Sequence, residues 1–180
     1  GVLTADKEEA LVGSVVTLTA TPNTGFAANL DIRGCENREV DSYGDFNTIS
    51  LVMPNCDVTV TPTYVEGTPF VNIPAFNTKK VSIPAGVTSF KVYDDGGKDA
   101  DYTVNPDGYL ELTAPQGSAL IVMGSLNTYR YFAGLSVYDG ADTTKKLLDN
   151  AYSRYEDKPL TIAGVKSSGN ALTLYFGKRS

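Results

Sequence analysis

Alternation of apolar and polar residues with period two runs through most of this 180-residue chain and leaves room for little besides β-structure. VVTLTATP (15–22) and DVTVTPTY (57–64) set Val or Leu against Thr, as half-buried strands do. TSFKVYD (88–94), GYLELTAP (108–115), ALIVMGSL (119–126), GLSVYDG (134–140) and ALTLYF (171–176) continue the pattern. Turn-forming residues separate these runs: DDGG at 94–97, NPDG at 105–108, PQG at 115–117 and SSGN at 167–170. The best helical candidate is KEEALV (7–12), which Gly13 stops within two turns. The expectation is an all-β chain.

Composition then removes whole classes of function. A net charge of −6, with no basic run longer than the Lys145-Lys146 pair, argues against a nucleic-acid surface. The longest apolar run is ALIVM (119–123), far short of the roughly 18 residues of a membrane-spanning helix. The chain has no His, which removes Ser-His-Asp and Cys-His machinery together with the commonest general base and metal ligand. Paired carboxylates such as Glu111, Asp139 and Asp142 are formally available for glycoside hydrolysis. Acids at strand ends are ordinary in an acidic β-protein, however, and no catalytic residue is assigned. The chain opens GVLTADKEE without Met and reads as an excised piece, so the lack of a signal peptide says nothing about compartment. Cys35 and Cys56, the only thiols, are either two reduced side chains or one intrachain bridge stabilising by roughly 3 kcal/mol.

A break falls near residue 66. DVTVTPTYV ends there, EGTP follows, and three prolines stand between residues 69 and 84. The chain is therefore divided at Glu66-Gly67 into residues 1–66 and 67–180, with both Cys in the first part and no repeat relating the two.

GSVVTLTATPNTGF (13–26) and LVMPNCDVTVTPTY (51–64) carry a resemblance to the divergent internalin-type B repeats of bacterial surface proteins. Gly13, Val16, Leu18, Ala20, Pro22, Gly25 and Phe26 fit the start of that pattern. Met53, Pro54, Asp57, Val58, Thr59, Val60 and Tyr64 fit its end. The resemblance implies a small β-rich spacer without catalytic residues, exported to an oxidising compartment. Cys56 departs from it by standing where a small residue is usual, and this departure points to a local disulfide with Cys35.

LELTAPQGSALIVMGSL (110–126), GLSVYDGADTTKKLL (134–148) and SSGNALTLYF (167–176) resemble a bacterial CUB-like domain. That family implies an antiparallel β-sandwich of jelly-roll type over residues 67–180, so the expected order is a small repeat domain followed by a CUB-like sandwich. Many such domains hold calcium through a Glu and a D-x-L Asp, but here Tyr129 and Ala133-Gly134-Leu135 occupy those positions. What remains is Asp139, Asp142, Ser167 and Asn170, which read as turn formers, and Asp94, Asp95, Asp99 and Asp101, which read as a solvated acidic loop. Neither metal nor other cofactor is expected.

Aromatics replace the missing acids. Tyr129, Arg130, Tyr131 and Phe132 lie on a connection between strands, where they either cap the sandwich core or stack on a sugar ring or protein partner. Tyr152 and Tyr155 are a weaker second candidate. The resulting expectation is a monomeric, non-catalytic fragment of a secreted or cell-surface bacterial protein, acting in adhesion or in recognition of a glycan or protein ligand outside the cell. The alternative is a purely structural spacer of a larger surface protein or extracellular enzyme.

Overall fold

The structure, a computed structural model, describes residues 1–128 and 133–178. The chain is all-β and layered as a sandwich. Its strands are β1 (Val2–Ala5), β2 (Val15–Thr21), β3 (Phe26–Arg33), β4 (Ser42–Gly44), β5 (Thr48–Val52) and β6 (Thr59–Glu66), then β7 (Phe70–Asn72), β8 (Phe76–Ser82) and β9 (Lys91–Tyr93). They continue as β10 (Asp107–Thr113), β11 (Ile121–Leu126), β12 (Ala133–Asp139), β13 (Lys146–Ala151), β14 (Leu160–Lys166) and β15 (Ala171–Lys178). KEEALV forms no helix. A segment this short meets the nucleation cost only if a face packs down, and Leu11 and Val12 are exposed instead.

One nine-stranded sheet, in the order β1-β2-β5-β4-β8-β10-β15-β12-β13, runs the length of the molecule. Its inner face is covered by three two-stranded ladders: β3-β6 over the first part, β7-β9 and β11-β14 over the second. Period two decides which side chains go in. Val16 and Leu18, Ile49 and Leu51, Leu110 and Leu112, Leu172, Leu174 and Phe176 are buried, while Thr17, Ser50, Glu111 and Tyr175 between them are partly exposed on the other face, where Thr173 is buried with its hydroxyl donating to the Gly140 carbonyl. Two cores result. The smaller joins Val16, Leu18, Ile49 and Leu51 to Ala28, Leu30 and Ile32 of β3. The larger is built on β8, β10, β12 and β15 and takes in Phe46 from the first part, whose ring lies 5.3 Å from that of Phe90.

The two stretches meet where β4 pairs with β8, a parallel ladder with Ser42 opposite Lys79, Tyr43 opposite Lys80 and Gly44 opposite Val81. β8-β10 and β7-β9 are parallel too, the other ladders antiparallel. Gly44 has to be glycine: a Cβ there would lie 2.0 Å from the carbonyl oxygen of Thr48, which donates its own amide to Asp45 in the tight β4–β5 turn. Side chains reinforce the seam. Glu39 Oε1 accepts the Ala75 amide at 2.8 Å, Asp41 Oδ1 accepts the Thr78 amide at 2.8 Å, and Asn77 Nδ2 donates to the Glu39 carbonyl.

Cys35 and Cys56 are disulfide-bonded, with Cα atoms 5.6 Å apart. The loop they close contains β4 and β5, so the bridge restrains the strands that reach the seam. Reducing it, or replacing both with Ser, is expected to lower unfolding free energy by about 3 kcal/mol, read from urea denaturation with and without reductant.

Candidate functional site

At the seam the alternation of β4 and β8 sends successive residues to opposite faces of the sheet, and each face carries a cleft. Tyr43 and Lys80 point outward, Ser42 and Lys79 inward.

On the outer face the register places Tyr43, Lys80 and Glu111 in one row across β4, β8 and β10. Lys80 Nζ lies 2.8 Å from Glu111 Oε2, a cross-strand ion pair with an exposed lysine end. Tyr43 is 45% exposed, and the Arg38 guanidinium sits 5.9 Å from the centre of the Phe76 ring nearby. Tyr43, Lys80, Glu111 and Arg38, with Asp41, Asn77 and Thr78, border an open cleft of about 690 Å³. It combines an aromatic ring, two cations, three carboxylates and an amide, with Tyr43, Asn77, Lys80 and Glu111 on strands and Arg38, Glu39 and Asp41 on the segment before β4.

The inner face has a different character because the covering ladders β3-β6 and β7-β9 leave the seam strands between the two cores. A cleft of about 230 Å³ there is lined by Asn29, Asp31 and Arg33 of β3, and by Glu39, Lys79 and Asp95. Arg33 Nε donates to Asp31 Oδ1 at 2.9 Å, and its terminal nitrogen lies 3.3 Å from Glu39 Oε1. Burial opposes the Arg33 charge, yet the Asp31 hydrogen bond and the charges of Glu39, Asp31 and Asp95 outweigh it and raise its pKa. Lys79 is less well served. Its ammonium reaches Asn29 Oδ1 at 3.4 Å and the Leu30 carbonyl at 3.5 Å, both long. Desolvation by burial brings its pKa down to about 8, against the pull of Asp31 and Glu39. Three buried acceptors, Glu39 Oε2, Asn72 Oδ1 and Asp95 Oδ1, have no hydrogen-bond partner among the described residues, and all three residues border this cleft. The space is polar and large enough for ordered water.

The residues singled out from the sequence are dispersed. Tyr129, Arg130, Tyr131 and Phe132 lie outside the described residues. Their neighbours are anchored: Thr128 and Ala133 are buried, the Thr128 amide donates to Ser153 Oγ at 2.8 Å, and Tyr102 Oη donates to the Thr128 carbonyl at 2.9 Å. Tyr155 is exposed with Lys158 Nζ 5.5 Å from its ring centre, and Tyr152 is half-buried.

The acids of GLSVYDGADTT organise turns. Asp139 accepts the Ser168 amide at 2.8 Å, the Ser168 hydroxyl at 2.6 Å and Lys145 Nζ at 2.7 Å. The hydrogen bonds from Lys145 and Ser168 hold its pKa down at about 2. Asp142 accepts the Thr144 amide at 2.8 Å, Ser167 Oγ donates to the Gly169 carbonyl, and Asn170 Nδ2 donates to the Ala114 carbonyl. In the second acidic stretch Asp95 Oδ2 accepts the Thr103 amide at 2.9 Å, Asp99 pairs with Lys98, and Asp94 Oδ1 accepts the Gly96 amide at 3.1 Å. Burial, with Asp95 beside it, raises the Asp94 pKa to about 6. Among the described residues no three or more His, Cys, Asp or Glu side chains are grouped to hold a metal ion.

Glu111 was weighed from the sequence only as a possible acid of a hydrolase, and Tyr43, Lys79 and Lys80 were not singled out at all. Tyr43 sits in a three-residue strand too short for a period to show, and Lys79-Lys80 reads as any charged pair until both neighbours of β8 are known. Compared with family models and with curated proteins, the chain finds no match.

Two pH-dependences follow. Because the Lys79 pKa in the fold lies below that of a free lysine, its contribution to stability rises as pH increases from about 8 towards 10.5. Urea midpoints at pH 7 and 9.5 should show this rise in the native chain and a smaller one in Lys79→Met. Asp139 is the converse: its stabilising contribution is present above the ordinary carboxylate pKa of 3.8 and fades as pH falls towards 2. Asp139→Asn should therefore lower the midpoint at pH 5 and narrow the difference between pH 5 and pH 2.5.

Proposed function

We propose that the chain is a non-catalytic recognition module of a secreted or surface-anchored bacterial protein, and that the outer cleft at the seam is the face that meets a glycan or protein ligand. The observation that carries this reading is Tyr43, nearly half exposed in the middle of a nine-stranded sheet and aligned with Lys80 and Glu111. A tyrosine on a rigid strand offers a flat apolar face with a polar tip, at little cost in side-chain ordering. Arg38, Asp41, Asn77 and Thr78 supply donors and acceptors round it, the mixture that hydroxyl-rich or peptide ligands require. The want of histidine supports the non-catalytic part, and the Cys35–Cys56 bridge supports an oxidising, extracellular setting.

A second reading, a structural spacer, is favoured by the continuous sheet itself, which suits a segment that holds neighbouring domains at a fixed distance. A glycan array and a pull-down from host extracellular matrix separate the two. Recognition predicts a ligand whose affinity drops about tenfold or more in Tyr43→Ala and is lowered in Lys80→Ala, with melting temperature unchanged. Blank results from both assays, or binding that ignores both substitutions, would favour the spacer.

A further inference from the structure

Tyr43 is not alone on the outer face of the long sheet. Strand register continues the row Tyr43, Lys80, Glu111 through Thr173 of β15 to Tyr138 of β12. The neighbouring row runs from Thr78 of β8 through Tyr109 of β10 to Tyr175 of β15. All four tyrosines stand on the side opposite the buried Leu110, Val137 and Leu174, and so on the face that the covering ladders leave open. Tyr43 is nearly half exposed, and Tyr109, Tyr138 and Tyr175 are partly exposed. Tyr109 and Tyr175 form a cross-strand pair with ring centres 4.6 Å apart. β8, β10 and β15 separate β4 from β12, so four strand spacings, about 19 Å, lie between Tyr43 and Tyr138.

Charges along these rows are engaged locally. Lys80 pairs with Glu111 at 2.8 Å, Asp107 accepts the Tyr175 hydroxyl, and Lys146, 5.8 Å from the centre of the Tyr138 ring, pairs with Asp149 at 2.6 Å. Between Tyr43 and Tyr138 the face presents rings and hydroxyls, and each charge in the two rows has an opposite partner. That mixture suits an uncharged ligand better than a polyanion or polycation.

Backbone is not on offer here. β8, β10 and β15 each pair with a neighbour on both sides, which leaves no edge to which a peptide strand could be added. The rings also lack the contiguous apolar centre of a protein interface, because Lys80, Glu111 and the buried Thr173 stand between Tyr43 and Tyr138.

On the reading of the Tyr43 face as a recognition surface, we propose that its ligand is a linear, uncharged polysaccharide laid across the strands from Tyr43 to Tyr138, with Tyr109 and Tyr175 beside its path. A sugar ring has an apolar face that rests on a tyrosine, and hydroxyls at its edge that bond phenol tips, Thr78 and the Lys80–Glu111 pair. A linear glycan repeats that combination along its length, as the sheet repeats its strands, so one chain meets several rings at once.

The test is calorimetric titration of the intact 180-residue chain with neutral linear oligomers of glucose, N-acetylglucosamine, xylose and mannose, from disaccharide to octasaccharide, at low and high salt. For one series affinity is expected to rise about tenfold or more with length, to level off once the oligomer spans both ends of the row, and to be unchanged by salt. Tyr138→Ala should return the longest oligomer to the affinity of the shortest and leave the shortest unaffected, while Tyr43→Ala should weaken both. Tyr138→Phe, which keeps the ring, should retain most of the gain. Variants are compared only where the melting curve is native, and the length series on the native chain decides the matter without them. A glycan bound through Tyr43 with affinity indifferent to length and to Tyr138→Ala overturns the extended ligand and leaves the Tyr43 face as a recognition surface. A matrix protein bound through Tyr43 while every oligomer fails does the same. Absence of any binding overturns both readings.

Discussion

Three residues of β4 laid parallel to β8 decide what kind of object this chain is. Without that ladder the chain would be two small β-units, one with a core of eight buried residues, joined by a Gly-Thr-Pro connection. With it, four strands of the first part and five of the second become one sheet. The same pairing creates both clefts at the seam. The outer one exists because β4 places an aromatic ring beside a lysine of β8. The inner one exists because the covering ladders belong to separate cores and leave the seam strands between them.

The inner cleft has an energetic cost that the outer one lacks. Lys79 is partly desolvated without a short hydrogen bond, and three acceptors beside it are unpaired, so the seam is held by backbone and by Glu39 and Asp41 more than by packing. Phe46 is the exception, a single large side chain from the first part that packs into the second core. The disulfide complements it by closing the loop from which β4 and Phe46 project.

Much of this architecture was legible in the residues. The runs at 15–22, 57–64, 108–115, 119–126, 134–140 and 171–176 all contain strands, because buried aliphatics alternating with Thr, Tyr or Glu leave the helix no apolar stripe. Asp142 keeps the local role of a turn acid and accepts the Thr144 amide two residues on, whereas Asp139 bonds the Ser168 amide of the 167–170 turn, a distant partner that its Asp-Gly pair does not reveal. β4 and β7 were not legible, since three residues carry no period, whereas β9, equally short, falls within the run at 88–94. FAANLDIR, which forms β3, hid its alternation behind Ala and Asn, both buried at the seam of core and cleft. Parallel pairing of β4 with β8 joins residues 37 apart and has no local signal at all. For that reason the surface that the sequence offered as a site, Tyr129–Phe132, differs from the one that strand register assembles around Tyr43.

The claim on which the account turns is that the two cores move as one body, and residual dipolar couplings in a weakly aligned sample test it most directly. Amide vectors from β2 and β5 in the first part and from β10 and β15 in the second should fit a single alignment tensor of common magnitude and orientation. Two tensors of different magnitude would mean that the halves reorient independently, that the β4–β8 ladder does not hold in solution, and that neither seam cleft has a fixed shape.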